Sequence, residues 1–499
     1  MPLPDILDLV HLVGEGSLSN TVLSLVQSRS FTAVQLCSDV ESLAQFSRVF
    51  SDLEIRGLVK TIHYDIVLPR LSDSRLQRKL QSRREATANN VAFTRAIVKL
   101  FGLLRDWDIQ KGIRLQIAAA SPSDTRDFSA PSIKVKPYRN ALKFLAFDDN
   151  ELRAAHGLPT VSCIGSLCWD IFDVVSTGSN ARRAHPSIIR PLCTALPLLT
   201  SASWLLCMPA RRLGMQLRRE HRETLAQALI LLPLENFRSL TICLLDPEPF
   251  NHLARPGAFV AEGDEDALSL AVQKLLELPV LSELRLEGKW TLDPSAFTGS
   301  PGPAMREIWV DGALVTPSGK WLTAMPENTD SEQSPTDSSY DIEHVLEVNT
   351  SIDSDDSEVE DPEVSQTLHI SEWERNPAIR RFVPKARLAV PLLCAFASAI
   401  ARAPNRQAIR YARLRFSDKA GRIRYNYLGA GECDSRLLND NDSDMPYAID
   451  NSPIEHARWY VDPVGQWFDG FCQVPDDLKE ALEAGVGSEN IRPPLVYRP

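Results

Sequence analysis

The sequence predicts an α/β fold, in which strands and helices alternate along one long chain. Segments such as 113–117 alternate apolar and polar residues, which is the period of a strand with one buried face. Longer segments such as 87–107 place apolar residues every three or four positions, as an amphipathic helix does. In addition, the pattern apolar-x-x-apolar-x-apolar recurs at 237–242, 281–286 and 305–310.

The recurring pattern is typical of the strand of a leucine-rich repeat. Its three occurrences begin 44 and then 24 residues apart, whereas regular repeats have a period of roughly 20 to 29 residues. The pattern therefore predicts an irregular leucine-rich-repeat-like array, in which each strand lies beside the next and helices or loops close the opposite face. The alternative is a non-repetitive α/β domain, because a short apolar pattern also arises by chance.

The remaining elements follow from the same two periods. Segments with alternating, β-branched or aromatic residues are predicted to be strands: 31–37, 59–68, 113–118, 142–147, 237–242, 281–286, 305–310, 409–416, 423–428 and 457–461. Segments with helical spacing are predicted to be helices: 87–107, 186–207, 214–232, 264–278, 384–402 and 476–484. The alternation fits a sheet that is packed on one face and wet on the other.

The net charge of −11 arises in one part of the chain. Between Trp321 and Glu374 there are sixteen acidic residues and no Lys or Arg, and the rest carries 54 basic and 49 acidic residues. Such a sequence buries too little apolar surface to offset the entropy of ordering. We therefore predict that 326–366 is a disordered acidic linker. Ser354 and Ser357 precede acidic residues, so the linker is either a solvated spacer or a phosphorylated switch.

Cysteines and apolar stretches indicate the compartment. The nine cysteines form no C-x-x-C pair and lie mostly in apolar runs, which is typical of reduced, buried thiols in an intracellular protein. Asp5 and Asp8 interrupt the N-terminal apolar stretch, so we expect no signal peptide. Residues 191–210 are uncharged but contain three prolines, so we expect a buried helix there rather than a membrane span. We expect a soluble cytoplasmic or nuclear protein.

No motif reaches the spacing that catalysis or metal binding requires. Asp440–Asp444 imitates the start of an EF-hand loop, but Met445 replaces the glycine and Asn451 the bidentate glutamate, so we interpret it as an acidic turn. Gly429–Gly431 lacks the third glycine of a dinucleotide-binding turn. We therefore expect no catalytic site, cofactor or metal; the alternative is an enzyme whose catalytic residues are scattered along the chain.

Arginines are concentrated at the start of the predicted helix 214–232. They are Arg211, Arg212, Arg218, Arg219 and Arg222. The stripe opposite to them consists of Leu213, Leu217, Leu225 and Leu229. We expect the arginines to be the solvent face of this helix, with a phosphate-binding or nucleic-acid-binding surface as the alternative. We expect no nucleic-acid partner.

Weak motifs along the chain share features with one family. They are Asn89–Ile97 with Leu100, Phe101 and Trp107, Leu115–Ile117, Ser121–Asp124, Phe31–Leu36, Met305–Val310, Thr316–Trp321, Pro391–Pro404 and Trp459–Trp467. Together they resemble the F-box proteins with leucine-rich-repeat-like regions that occur in filamentous fungi. The N-terminus departs from that family, because only 26 residues separate Pro4 from Phe31 and Gly14 and Gly16 interrupt the expected helix.

The resemblance implies a domain order. Residues 1–30 would be a short or degenerate F-box-like helical segment and 31–325 a leucine-rich-repeat-like α/β region. The acidic linker 326–366 would follow, and 367–499 would be a C-terminal α/β unit that completes the repeat region. The implied adaptor-binding residues are Leu3, Pro4, Ile6 and Leu7, at the stretch that looks like the opening of an F-box.

The resemblance also implies a function, which is that of a protein-interaction scaffold rather than an enzyme. We expect a substrate receptor of an SCF-type ubiquitin ligase, which binds a Skp-type adaptor at one end and an unknown protein target on its repeat surface. The alternative is an adaptor-independent scaffold that has lost the F-box function. Exposed aromatic residues would mark the target surface, and five tryptophans are candidates: Trp290, Trp309, Trp321, Trp459 and Trp467.

Overall fold

The computed structural model describes most of the chain, in thirteen ranges. They are 31–70, 83–107, 112–122, 144–169, 182–209, 214–246, 256–324, 383–384, 386–417, 422–432, 456–464, 476–487 and 491–492. The predicted F-box-like segment 1–30, the predicted acidic linker 326–366 and the EF-hand look-alike at 440–451 lie outside the described residues.

Strands and helices alternate through these ranges. The strands are β1 (Ala33–Cys37), β2 (Thr61–Val67), β3 (Ile113–Ala120), β4 (Phe144–Leu145), β5 (Ile164–Trp169), β6 (Arg183–Ala184), β7 (Ser201–Cys207), β8 (Ser239–Leu245), β9 (Glu283–Trp290), β10 (Glu307–Gly312), β11 (Thr323–Ala324), β12 (Val383–Pro384), β13 (Tyr411–Ser417), β14 (Arg422–Leu428), β15 (Arg458–Val464) and β16 (Ile491–Arg492). The α-helices are α1 (Val40–Val49), α2 (Leu53–Arg56), α3 (Arg83–Leu104), α4 (Asp149–Ala154), α5 (Ile189–Thr194), α6 (Met215–Ile230), α7 (Ala267–Leu276), α8 (Ala386–Arg402) and α9 (Asp476–Val486).

One large, mostly parallel sheet organises the molecule. Its strands are ordered β1-β2-β3-β5-β7-β8-β9-β10-β13-β14-β15-β16, so neighbours in space follow each other along the chain apart from the short β4, β6, β11 and β12. From β1 to β13 every pairing in this order is parallel. β14 and β15 then add two antiparallel pairings. The fold is therefore mixed α/β, as the sequence predicts.

The main core covers one face of this sheet, and the carboxyl ends of β5, β7 and β8 are buried on both faces. In β2, for example, Ile62, Tyr64 and Ile66 are buried, whereas the alternate residues Thr61, His63 and Asp65 are only partly buried. Helices pack on the buried side, where the Tyr64 hydroxyl donates a hydrogen bond to the carbonyl oxygen of Ala96 in α3 at 3.0 Å. We call the opposite side, which carries His63 and its register neighbours, the open face of the sheet.

The predicted elements agree with most of the observed ones. All ten predicted strands overlap an observed strand, and five of the six predicted helices are confirmed: 87–107, 214–232, 264–278, 384–402 and 476–484. The predicted helix 186–207 is wrong, because it resolves into a 3-10 turn, the short α5 and the strand β7. Proline at 197 lies between α5 and β7 and removes a backbone donor that a continuous helix would need.

Among the helices of the ranges listed above, none combines the length and apolarity that a bilayer crossing requires.

Several of the cysteines are buried thiols, as expected. Burial raises the pKa of Cys163 and of Cys193 to about 12, and the pKa of Cys207 to about 11, so these side chains are protonated at neutral pH.

Two buried ion pairs fasten α6 to the strand ends and to α7. Arg218 donates two hydrogen bonds to Asp246, at 2.8 and 2.6 Å, just beyond the end of β8. Arg222 donates two to Asp266, at 2.9 and 2.5 Å, and Asp266 also caps α7 by accepting from the Ser269 amide. Burial by itself would raise the pKa of Asp266, but Arg222 and Ser269 hold that pKa below its ordinary value.

The two ion pairs show that the predicted solvent face of α6 is partly wrong. Arg218 and Arg222 were predicted to face solvent, yet their side chains are 0% and 5% exposed. Leu217, predicted to belong to the buried stripe, is 37% exposed, whereas Leu225 and Leu229 are buried as predicted. Arg211, Arg212 and Leu213 lie outside the described residues. The helix buries its arginines because carboxylates from two other elements meet them.

We predict that Arg218→Ala destabilises the protein by about 3 to 5 kcal/mol, because Asp246 is left as an uncompensated buried charge. Chemical denaturation followed by far-UV circular dichroism measures the change. The matched control Glu223→Gln, at an exposed position of the same helix, should shift the free energy of unfolding by less than about 0.5 kcal/mol.

The double variant Arg218→Met, Asp246→Leu should recover much of the lost stability, because it removes both charges and keeps the volume. A double variant as unstable as the single one would show that the pair does not act through its charge.

An aromatic cluster with two histidines lies beside the Arg218 pair. The ring of His221 is 4.8 Å from that of Phe144 and 5.0 Å from that of His185. Burial, aided by His185 and Arg218, lowers the pKa of His221 to about 3. Burial also lowers the pKa of His185. Both imidazoles are therefore neutral in the folded protein near neutral pH.

The free energy of unfolding should fall as the pH drops below about 6.5. Between that pH and about 3 the unfolded chain binds a proton at His221 that the folded chain does not bind, which costs up to about 1.4 kcal/mol per pH unit for one histidine. Urea denaturation at pH 7.5 and 5.0 measures this difference, and His221→Phe should reduce it. An unchanged pH dependence in His221→Phe would contradict the assignment.

Candidate binding surface on the open face of the sheet

The most distinctive surface of the open face lies where β9, β10 and β13 are adjacent. Trp309 projects from the middle of β10, and its register neighbours are Arg285 on β9 and Arg413 on β13. The preceding and following residues of β10, Ile308 and Val310, are buried in the core. Strand alternation therefore directs Trp309 to the opposite side of the sheet from them.

Guanidinium groups from both neighbouring strands approach the Trp309 ring. The Cζ atom of Arg413 is 3.4 Å from the ring centroid and the Cζ atom of Arg285 is 5.5 Å from it. The ring of Tyr411 lies 5.8 Å away at a tilt of 55°, and the Tyr411 hydroxyl bonds to Asn426 Oδ1 at 3.3 Å. We call Arg285, Trp309, Tyr411 and Arg413 the Trp309 patch.

Asp311 holds the patch in place from one side. Its Oδ1 accepts a hydrogen bond from Arg413 at 2.9 Å and from Arg415 Nε at 3.1 Å, and its Oδ2 accepts from Arg415 Nη2 at 2.9 Å. The Trp309 indole also donates to Asp311 Oδ1 at 3.3 Å. Because Arg413 is 0% exposed and Asp311 is 8% exposed, this charge pairing occurs away from bulk water and fixes the ring orientation.

Carboxylates balance the arginines on the second side. Arg285 pairs with Glu283 and with Glu307, the latter at 3.3 Å. Burial raises the pKa of Glu287, and the charge of Asp311 adds to the rise while the nearby arginines oppose it. The patch therefore combines an aromatic surface with charges that are mostly satisfied within the protein.

A glycine lets β9 approach this network. Gly288 has a φ of 95°, and a Cβ atom there would lie 2.3 Å from the Leu244 carbonyl oxygen. Its amide donates to Asp311 Oδ2 at 3.4 Å, next to a register shift between Val310 and Gly312. Any larger residue would force β9 away from β8 at this position and strain the positive φ.

The accessible residues of the patch, Trp309 and Arg285, lie over the buried side chains of Tyr411 and Arg413 and have the composition of a protein-binding hot spot. Trp, Tyr and Arg are the residues most enriched at such sites, because they offer large contact area at a low cost in side-chain entropy. Here the rings are already oriented by cation–π contacts and hydrogen bonds, so little further ordering is needed on binding.

The structure also answers which tryptophans are exposed. Trp290, Trp321 and Trp459 are buried, whereas Trp309 is only partly buried; Trp467 lies outside the described residues. The motif 305–310 places residue 309 between Ile308 and Val310, the two residues that it predicts to face the core. Sequence reasoning missed the site because the motif does not show which neighbours the register brings to Trp309.

The sequence-predicted site residues have different outcomes. Leu3, Pro4, Ile6 and Leu7 lie outside the described residues. Gly429–Gly431, interpreted as a turn, does follow β14 as a turn, with Gly431 at a φ of 86°. A search of the described residues finds no group of three or more His, Cys, Asp or Glu that could hold a metal ion.

Comparisons with known proteins add no family assignment. No family model, no curated protein and no solved structure matches this chain. The geometry of the open face and the resemblance noted in the sequence are therefore the basis for any functional proposal.

We predict that Asp311→Asn lowers the free energy of unfolding by about 3 kcal/mol, because an amide cannot compensate the fully buried Arg413. Urea denaturation measures the change. Glu283→Gln is the matched control on the same face; its carboxylate is 28% exposed, so its loss should cost at most about 1 kcal/mol. Equal effects of the two substitutions would contradict the proposed role of Asp311.

Proposed function

We propose that this chain is a leucine-rich-repeat-like interaction scaffold that binds a protein target on the open face of its sheet. The observation that carries the proposal is the Trp309 patch, in which the partly exposed Trp309 and Arg285 are oriented by the buried Tyr411 and Arg413 on the face opposite to the main core. Parallel strands in chain order support it, since stacked repeats of this kind create extended binding surfaces.

By its resemblance to fungal F-box proteins, we further propose that the scaffold is a substrate receptor of an SCF-type ubiquitin ligase. In this role Leu3, Pro4, Ile6 and Leu7 would bind a Skp-type adaptor, and the open face would hold the target near the ubiquitin-charged enzyme. The receptor performs no bond chemistry itself. The second candidate is an adaptor-independent scaffold, which Gly14 and Gly16 favour because they interrupt the helix expected of an F-box.

The two candidates differ in adaptor binding. We predict that the full chain co-purifies with a Skp-type adaptor and that replacing Leu3, Ile6 and Leu7 by Asp abolishes recovery, because three charges prevent burial of that apolar surface. Quantitative pull-down with purified adaptor measures the effect.

Leu53→Asp is the matched control, since Leu53 is 74% exposed in α2 and its replacement adds a charge without disturbing the core. It should leave adaptor recovery unchanged. If the unmodified chain recovers no adaptor, the adaptor-independent scaffold is the correct alternative.

A further inference from the structure

A second surface site lies at the amino ends of β8, β9 and β10, away from the Trp309 patch. It is a pocket of about 380 Å³. Its polar lining consists of Arg238, Ser282, Arg306 and Asn405, and Val280 and Ala304 contribute apolar wall. No Asp or Glu belongs to this lining. The pocket therefore presents hydrogen-bond donors and positive charge.

Backbone pairing explains why these residues converge. The Ser282 amide donates to the Arg238 carbonyl at 2.8 Å, the Arg306 amide to the Ser282 carbonyl at 2.8 Å, and the Arg410 amide to the Arg306 carbonyl at 2.9 Å. The four residues thus occupy one row across adjacent strands. Since adjacent strands are about 4.8 Å apart, the Cα atoms of Arg238 and Arg306 are separated by roughly 10 Å, which two long side chains span easily.

Arg238 and Arg306 differ from the other arginines of this region. Arg285, Arg413 and Arg415 all pair with carboxylates on the open face, and Arg410 pairs with Glu432 at 3.7 Å. Within the ranges that the structure describes, neither Arg238 nor Arg306 has a carboxylate within ion-pair distance, and both are exposed. Glu283 and Glu307, which follow Ser282 and Arg306 along the strands, pair with Arg285 instead.

We propose that this pocket, the Arg238–Arg306 pocket, binds an oxyanion carried by an acidic peptide, either a carboxylate or a phosphate monoester. Two guanidiniums that pair with no carboxylate of the described residues match the several acceptor oxygens of such a group, and Ser282 and Asn405 add neutral polar contacts. The inference goes beyond the proposed function, because it needs neither the adaptor nor the Trp309 patch.

The test uses a probe of defined charge. A peptide of residues 350–364 of this chain contains seven acidic residues, and Ser357 can be synthesised as phosphoserine. Three forms are titrated into the full chain by fluorescence anisotropy: the unmodified peptide, the phosphoserine peptide, and one with every Asp and Glu replaced by Asn and Gln. The acidic forms should bind and the neutral one should not. The difference between the first two forms shows whether carboxylate or phosphate is preferred.

Substitutions of single arginines test whether the acidic peptide binds in the Arg238–Arg306 pocket. Arg238→Gln and Arg306→Gln should each weaken binding about tenfold or more, because each removes a charge-assisted donor. Arg410→Gln is the matched control from the same row; it lies outside the pocket lining and should weaken binding less than about threefold. Arg306→Lys should restore part of the affinity. Thermal unfolding checks that these surface variants remain folded.

A second protein is titrated in parallel, in which the sixteen acidic residues between Trp321 and Glu374 are replaced by Asn and Gln. Tighter binding of the probe to this protein would support the site and show that the chain's own acidic residues compete for it. The proposal is overturned if neither protein binds the acidic probes, or if Arg410→Gln weakens binding as much as Arg238→Gln does. Retained binding in Trp309→Ala would separate this site from the open face.

Discussion

Parallel pairing of consecutive strands is the constraint on which the rest of this structure depends. A parallel neighbour cannot be reached through a tight turn, so each main strand from β1 to β10 must be followed by a connection that returns to the same end of the sheet. The connections bring the helices, which pack with one side of the strands into a single core. At β9, β10 and β13 the other side carries polar and aromatic residues, which form the Trp309 patch.

Charge pairs then fix the loops and helices to this frame. Arg218 and Arg222 tie α6 to the residues after β8 and before α7, and Asp311 ties β10 to β13. Such buried pairs contribute little net stability compared with apolar residues, but removing one partner is costly. They therefore specify one arrangement of the elements. Among the described residues Arg238 and Arg306 pair with no carboxylate, which is the basis for the ligand site proposed above.

Sequence patterns predicted the helices and strands that bury one side. They did not predict strands in which both sides are buried. Residues 87–107 have a single apolar stripe, so α3 was predictable. In β5 and β7 buried residues are consecutive, as in Leu205–Leu206–Cys207, and the two-residue period is lost. Ion pairs were also missed, because Arg218 and Asp246 are 28 residues apart. The same applies to the Trp309 patch, which draws residues from three strands.

Site-specific photo-crosslinking tests most directly whether the open face is the binding surface. A photoreactive residue would replace Glu307 or Thr241 on the open face, and Lys99 or Gln227, which are exposed on the helix side. If the open face holds the target, the first two positions should crosslink to a common partner protein, and Trp309→Ala should abolish the crosslink. Crosslinks to that partner from Lys99 or Gln227 alone would contradict this conclusion.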